Sequence, residues 1–325
     1  MEMDYGRIIL TLVSGLVMFL FAMNYLSDNL KALSGDRMQG FLDKFTRNLV
    51  TGILSGTVVT VLLDSSSAVI IMTIALVNAR ALTFQQAMGI VLGANIGTTI
   101  SSQLIAFDIG QYAAIPMVVG LIVSVAGRSE PVRISGKILL GMGLLFFGLF
   151  TIEESVKPLR DSGTFRAWML QLENPLGGAA VGALVTFIVQ SSSATVGMVI
   201  GLGAQKLITL AAAIAVMLGA ELGTCSDTLI ACAGRSKQAV KTGIFHLLFN
   251  IASITLGLLL IHPFTELVLL VSRQAALPRQ IANAHVLFNC LGVLVFAPIA
   301  PHLEPLLNRL VNVFSKTTDG ASAPV

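Results

Sequence analysis

The sequence predicts an all-α, polytopic helical membrane protein built from two inverted repeats, each with a re-entrant hairpin and a broken helix. Three observations carry that prediction. Hydrophobic residues make up 55% of the 325 positions and charged residues only 11%, against about 25% charged in an ordinary soluble domain; mean hydropathy is +0.86. Apolar runs long enough to cross a bilayer recur along the length. The chain also repeats itself. A gapless shift of 126 positions lays DSSSA (64–68) over QSSSA (190–194), LGANIGTT (92–99) over LGAELGTC (218–225) and GLVMFLFAM (15–23) over GMGLLFFGL (141–149). One offset serving three separated motifs marks a duplication.

Taken in order, the first repeat occupies 1–128. It opens with the apolar run 8–26, whose start holds Glu2, Asp4 and Arg7. A positive start and a small-residue cleavage site are both lacking, so this is a retained span and not a secretory signal. A mixed polar segment follows (27–47), then an apolar stretch centred on the serines (48–78), a Gly-interrupted segment (83–106) and a closing span (110–127). The second repeat, 134–262, has the same order at 136–152, 153–174, 174–204, 207–232 and 241–261. The remaining part, 263–315, holds a segment too short to cross (264–274) and a final span (281–301) with Pro298 and Pro301 near its end. The polar tail 316–325 is expected to be disordered.

Each serine stretch is about thirty residues, which as one helix would reach about 45 Å and overshoot a hydrocarbon core of about 30 Å. A hairpin that enters and returns on one side leaves three crossings per repeat and inverts the second repeat. The loops bearing Arg128, Arg133 and Lys137, and Arg235, Lys237 and Lys241, then share one side, and the Asp108 loop, without a basic residue, faces the other. That charge pattern places the N-terminus outside and the C-terminus in the cytoplasm, across the plasma (inner) membrane. The net charge of +3, spread over short loops, gives no basic face for nucleic acid. Cys225, Cys232 and Cys290 lie in apolar segments, and an odd count favours free buried thiols over a disulfide framework or a metal cluster.

Four adjacent polar residues inside an apolar run need a use, because each buried hydroxyl without a partner costs a few kcal/mol and a carboxylate more. Where a helix restarts at Ser65 or Ser191, its first N–H groups are unpaired and carry the positive dipole end. The hydroxyls of Ser65, Ser66 and Ser67 and of Ser191, Ser192 and Ser193 add donors for an oxyanion or acceptors for a small cation. Between 48 and 106 the charges are Asp64 and the loop residue Arg80, so no base neutralises an anion there. Asn95, Thr98, Thr99 and Thr224 are oxygen ligands suited to Na⁺. A lone serine, or the Gly52/Gly56 pair, more often serves close helix packing; a serine triplet occurring twice does not fit that account. His246 and His285, in HLLFN and HVLFN, are expected to pack or hydrogen-bond, with Asn250 and Asn289 as candidates for the path.

QSSSAT and GANIGTT within an internal duplication resemble the type II sodium–phosphate cotransporter family, over nearly the whole chain. The resemblance implies that both serine motifs lie in re-entrant hairpins of inverted repeats and form the phosphate site, with Na⁺ as coupling ion and no organic cofactor. Gln190, Ser191, Ser192 and Ser193 match the motif fully; Ser65, Ser66 and Ser67 match its first copy. Many bacterial relatives add a soluble helical domain like a phosphate-uptake regulator, and this sequence ends before one. Two departures stand out: the family glutamine is Asp64 in the first motif, and Glu221 replaces asparagine in the second GAN-type motif. Both acids are candidate cation sites, and Asp227 is a third acid or a vestibule residue. An ionised Asp64 about 4 Å from an anion would be repelled by about 4 kcal/mol at an effective dielectric near 20, so it needs a Na⁺ or a proton.

The expected activity is therefore secondary transport of inorganic phosphate coupled to Na⁺, not enzymatic catalysis. The partners are phosphate, Na⁺ and the lipid bilayer, with a homodimer open to such a chain. A proton-coupled carrier, a carrier of another oxyanion or a phosphate exporter is the alternative on the same fold. An ion channel would call for ring symmetry, and an intramembrane hydrolase for a serine activated by His246 or His285; no G-x-S-x-G is present.

Overall fold

The computed structural model describes residues 5–34, 40–42, 46–107 and 109–319; Asp108 and the end of the tail, 320–325, lie outside it. Among the described residues there is no strand. Helix α1 (Tyr5–Ser34) is followed by α2 (Leu49–Leu63), α3 (Ser66–Asn78), α4 (Phe84–Ile105), α5 (Ala114–Ala126) and α6 (Glu130–Val156). Next come α7 (Gly163–Gln171), α8 (Pro175–Val189), α9 (Ser192–Ala204), α10 (Leu210–Gly223), α11 (Cys225–Ala231) and α12 (Lys237–Leu259). The chain closes with α13 (Ile261–Val271), α14 (Leu277–Phe296) and α15 (Glu304–Asp319), which carries helix into the segment expected to lack order. Six helical segments among the described residues are long and apolar enough to cross a bilayer: α1, α4, α6, α10 with α11, α12 and α14. This is a polytopic α-helical membrane protein. At 11 residues α13 is too short to cross.

The 126-residue shift recurs in the backbone itself. Asn48 and Asn174, Ser65 and Ser191, and Thr83 and Thr209 each accept a backbone N–H as the N-cap of corresponding helices. Among the described residues, the non-glycine ones with left-handed φ are Asp64, Arg80, Gln190 and Lys206, again two pairs at that spacing. Asp64 (φ 50°) and Gln190 (φ 58°) form the turn between the two helices of each serine stretch. A single left-handed residue reverses the chain between a helix end and a helix start, and Asp bears that conformation more easily than Gln. Two elements differ. Helix α4 runs unbroken, whereas its counterpart stops at Gly223 and restarts at Cys225. Helix α5, where the sequence predicts a closing span over 110–127, has only 13 residues against 23 in its counterpart α12.

Glycine contacts give the direction of each helix. Gly52 meets Gly89, Gly56 meets Ile90, Gly93 meets Ile53 and Gly97 meets Thr60, so α2 runs parallel to α4 with its backbone close. Helix α3 then returns, since the Asn78 side chain accepts from the Ser236 N–H (2.8 Å) just before α12 and Ile74 lies beside Gly243. In the second repeat Gly178 meets Ala215, Gly182 meets Val216 and Gly219 meets Ala179, so α8 runs parallel to α10. Helix α9 returns toward the start of α14, where Gly203 meets Ile281. That end of α14 lies level with the far end of α4, because Arg279 donates to the Gln103 side chain (2.7 Å). The two hairpins therefore enter from opposite ends of the bundle. Helices α1 and α6, corresponding elements, pack antiparallel, with Gly15 against Ile152, Phe19 against Gly148 and Leu26 against Gly141.

Two large apolar clusters hold the bundle, beside a small one of Ile8, Val156, Leu159 and Leu207. One joins α9 and α10 to α1, α6, α13 and α14; the other joins α2, α3 and α4 to α12 and α15. Helix α15 is fixed by Leu307 and Val311 and by the buried Lys241, whose Nζ donates to Glu304 Oε1 (2.8 Å) and Asn308 Oδ1 (2.9 Å). Outward faces of α1, α5 and α8 expose Leu10, Val125 and Leu176, the surface a bilayer covers. Cys225 and Cys232 are free and buried as expected; Cys290 is free but exposed on the outer face of α14, so the sequence reading was wrong there.

Candidate functional site between the hairpin tips

The hairpin tips converge. Thr98 Oγ1 lies 3.4 Å from Ser66 Oγ, to which it donates, and 3.4 Å from Ser193 Oγ. One hydroxyl on α4 thus touches both serine motifs, which are 127 residues apart in Ser66 and Ser193. Ser67 Oγ donates to Asp227 Oδ2 (3.4 Å), so the first tip also meets α11 of the second repeat. Two helix N-termini, those of α3 and α9, begin here with their unpaired N–H groups. Their dipoles and hydroxyls form an environment suited to an anion.

Within each triplet the roles divide. Ser65 Oγ accepts from the Ala68 N–H (3.2 Å) and Ser191 Oγ from the Ala194 N–H (3.1 Å), so the first serine is a cap. Ser192 and Ser193 are buried, and Ser66 and Ser67 half-buried. The turn residue Gln190 is exposed. Asp64 accepts from Ser101 and lines a small cavity of about 30 Å³ with Met23, Leu26 and Met142, on the side of α1 and α6.

The remaining predicted oxygen donors are buried on α4 and α10. Asn95 Nδ2 donates to the Val91 carbonyl (2.9 Å), Thr99 Oγ1 to the Ile96 carbonyl (2.8 Å) and Thr224 Oγ1 to the Glu221 carbonyl (2.8 Å), leaving oxygen lone pairs on each side chain. The Glu221 carboxylate is engaged elsewhere: His285 Nε2 lies 2.8 Å from its Oε1, and both side chains are buried. His285 Nδ1 is 2.6 Å from Ser102 Oγ. The neighbouring serines of α4 thus point to opposite flanks, Ser101 to Asp64 and Ser102 through His285 to Glu221.

His246 repeats half of this pattern. Its Nδ1 lies 2.9 Å from Thr228 Oγ1, the counterpart of Ser102, and its Nε2 lies 2.8 Å from Asn250 Nδ2. Thr228 donates its hydroxyl to the Cys225 carbonyl (2.9 Å), so it accepts from Nδ1–H, and Nε2 accepts from the amide. That ring is satisfied as a neutral imidazole. At His285 the carboxylate takes Nε2–H, and the Ser102 hydroxyl can either donate to Nδ1 or accept from it. Both histidines are hydrogen-bonding groups, as expected, and Asn289 donates to the His285 carbonyl (3.2 Å). Ser101, Ser102 and the acid–histidine pair were missed in the sequence. The signal for Ser101 was present, since it is the counterpart of Asp227 under the repeat shift.

Comparison with known proteins identifies the family. The profile of the family described as Na⁺/Pi-cotransporter matches twice, over residues 18–154 and 151–297. A Bacillus subtilis protein, YqeW, described as uncharacterized, is 27% identical over 305 residues, 94% of this chain and 98% of its own length. The Escherichia coli "Putative inorganic phosphate export protein YjbB" is 24% identical over 306 residues, 93% of this chain; the match spans 56% of that protein. Human sodium-dependent phosphate transport protein 2B is 26% identical over 199 residues, 58% of this chain and 24% of its own length. No solved structure shows a significant match. With the family profile matched once in each half, the chain belongs to the Na⁺/Pi-cotransporter family, a family of membrane transporters.

Proposed function

We propose that this protein is a secondary active transporter that couples Na⁺ movement to the passage of inorganic phosphate, with the anion held between the two hairpin tips. The observation that carries this reading is the convergence on Thr98: hairpins from opposite ends of the bundle bring Ser66 and Ser193 within 3.4 Å of one hydroxyl. A tetrahedral oxyanion between them would meet N–H groups of two helix starts and the hydroxyls of Ser66, Ser67, Ser192 and Ser193. Ser65 and Ser191 shape the site by capping those helices, and Gln190 holds the turn. Hairpins that enter from opposite ends and meet at their tips suit alternating access, because each can open to its own side.

For sodium, Asp64, Asn95, Thr98, Thr99 and Thr224 are the proposed oxygen ligands; Glu221 would join them only on leaving His285. In the proposed orientation the N-terminus is outside and the C-terminus in the cytoplasm. Direction is set by the gradients, and the relative named as a phosphate export protein favours efflux as the second reading. Purified protein in liposomes decides. Radiolabelled phosphate should accumulate against its gradient only when a Na⁺ gradient is imposed. Accumulation driven equally well by a proton gradient in Na⁺-free buffer would replace the coupling ion, and no phosphate movement under either gradient would overturn the reading.

A further inference from the structure

Away from the serine site, α12, α13 and α14 enclose a cavity of about 240 Å³, lined by Leu256, Gly257, Phe264, Phe288, Leu291 and Val295 with neighbouring apolar residues. Ser253 lies in its wall, with its hydroxyl turned toward Gly292 and covered. That hydroxyl is buried and has no hydrogen-bond partner, and Ser253 is only 3% exposed. A serine in a helix ordinarily returns its proton to a carbonyl one turn back, as Ser14 and Ser135 do here. Ser253 does not. Gly292, opposite, packs close to that oxygen: a Cβ there would come within 3.3 Å of Ser253 Oγ. The rim residues Leu256, Leu260, Leu291 and Val295 are 40%, 48%, 39% and 43% exposed, so the mouth faces the apolar surface that the bilayer covers.

We propose that this cavity binds a small amphiphile dissolved in the bilayer, with an apolar body of about one ring and a single hydrogen-bonding atom that pairs with Ser253 when the serine rotates its hydroxyl from Gly292 toward the cavity. The size fits, since an apolar cavity of about 150 Å³ already accepts benzene. Water fits poorly. At roughly 30 Å³ per molecule several would enter by volume, yet each needs two to four polar partners and the wall offers one hydroxyl. A lipid acyl chain fills the volume but leaves the hydroxyl unpaired. Position gives the site a consequence. Ser253 lies one turn beyond Asn250, and Phe288 one residue before Asn289, on the two helices whose histidines bond Thr228 and Ser102. An occupant would set the spacing of the helices that brace both Gly-interrupted elements.

The test uses the full chain in lipid nanodiscs and a diazirine-bearing 4-alkylphenol, with attachment sites mapped by mass spectrometry. Label should concentrate on residues of α12, α13 and α14 around this cavity. 4-Propylphenol should compete more strongly than its isostere 4-propyltoluene, roughly three- to tenfold after correction for membrane partitioning. Ser253→Ala should remove that preference while leaving hydrocarbon competition unchanged, and Leu291→Trp, at the lipid-facing rim, should block labelling without loss of folded protein. Label spread evenly over α1, α5 and α8 would overturn the proposal. So would equal competition by the two isosteres in the unmodified protein, labelling that survives Leu291→Trp, or disulfide cross-linking of a Val295→Cys variant in membranes, showing that a second copy fills the groove.

Discussion

In the first repeat the hairpin turn is Asp64, bonded to Ser101 on α4; in the second the turn is Gln190, and the acid sits at Asp227, the counterpart of Ser101. The exchange goes further. Asn95 in α4 corresponds to Glu221 in α10, which pairs with His285 (2.8 Å). Thr186 donates to Thr195 (2.7 Å), whereas Val69 stands at the counterpart of Thr195 and the Thr60 hydroxyl has no partner. Caps, turns and glycine contacts are duplicated to the residue while the polar side chains are not. Backbone geometry at the tips tolerates little change, and the charge pattern around them is free to become asymmetric. A carrier that moves ions of opposite sign through one centre can use that asymmetry.

The largest effect expected is on the shared part. A Cβ at Gly93 or Gly219 would overlap the carbonyl of Ile53 or Ala179 on the facing hairpin helix. Gly93→Leu and Gly219→Leu should each cost more than the roughly 1–3 kcal/mol of ordinary overpacking, read as loss of monodisperse protein after detergent extraction. A large loss in one repeat with tolerance in the other would break the equivalence of the two backbones.

Next come the serines. Ser66→Ala and Ser193→Ala should each raise the phosphate KM roughly tenfold, the value of a hydrogen bond to a charged group of about 1.5 kcal/mol. Ser65→Ala and Ser191→Ala should instead lower stability by about 1 kcal/mol through the lost cap, seen as a lower unfolding midpoint. A triple alanine variant of Ser191, Ser192 and Ser193 that transports normally would return the triplets to a packing role.

A more selective effect is expected at the turns. Asp64→Asn should weaken the dependence of transport on Na⁺, or the charge moved per cycle, while phosphate recognition partly survives. Unchanged Na⁺ and pH dependence in that variant would reduce Asp64 to a hydrogen-bonding turn residue like Gln190. The smallest change sharpens the comparison most. Thr195→Val should leave Thr186 unpaired and cost roughly 1–3 kcal/mol, and Val69→Thr should give Thr60 a partner and raise the unfolding midpoint slightly, by roughly 0.5–1.5 kcal/mol. Thermal unfolding in detergent checks both, and a destabilised Val69→Thr variant would show that the pocket beside Thr60 has no room for a hydroxyl.

Sequence reasoning reached the elements whose causes are local. Apolar length gives six of the spans but overstates 110–127, where the helix has 13 residues, and Asn48, Ser65 and Thr83 with their counterparts carry the signature of helix starts. It treated the three serines of each motif alike, because only the helical register separates a cap from a side chain facing the centre. It grouped Glu221 with Asp64, although the fold draws one to His285 and the other to Ser101. Those pairings join residues 64 and 37 positions apart, and His285 has no counterpart histidine under the repeat shift, at Leu159. Nothing in a periodic pattern could announce a pairing made by rotation of α4 and α14 about their axes.

The antiparallel packing of α1 on α6 has a consequence for how the chain holds together. Gly15 meets Ile152 and Gly141 meets Leu26, and under the repeat shift Gly15 becomes Gly141 while Leu26 becomes Ile152. The two contacts are one contact made twice, the self-complementary relation of an isologous dimer interface. The chain therefore carries a twofold dimer's interface inside a single polypeptide, with the loop between α5 and α6 as the tether that joins its two partners.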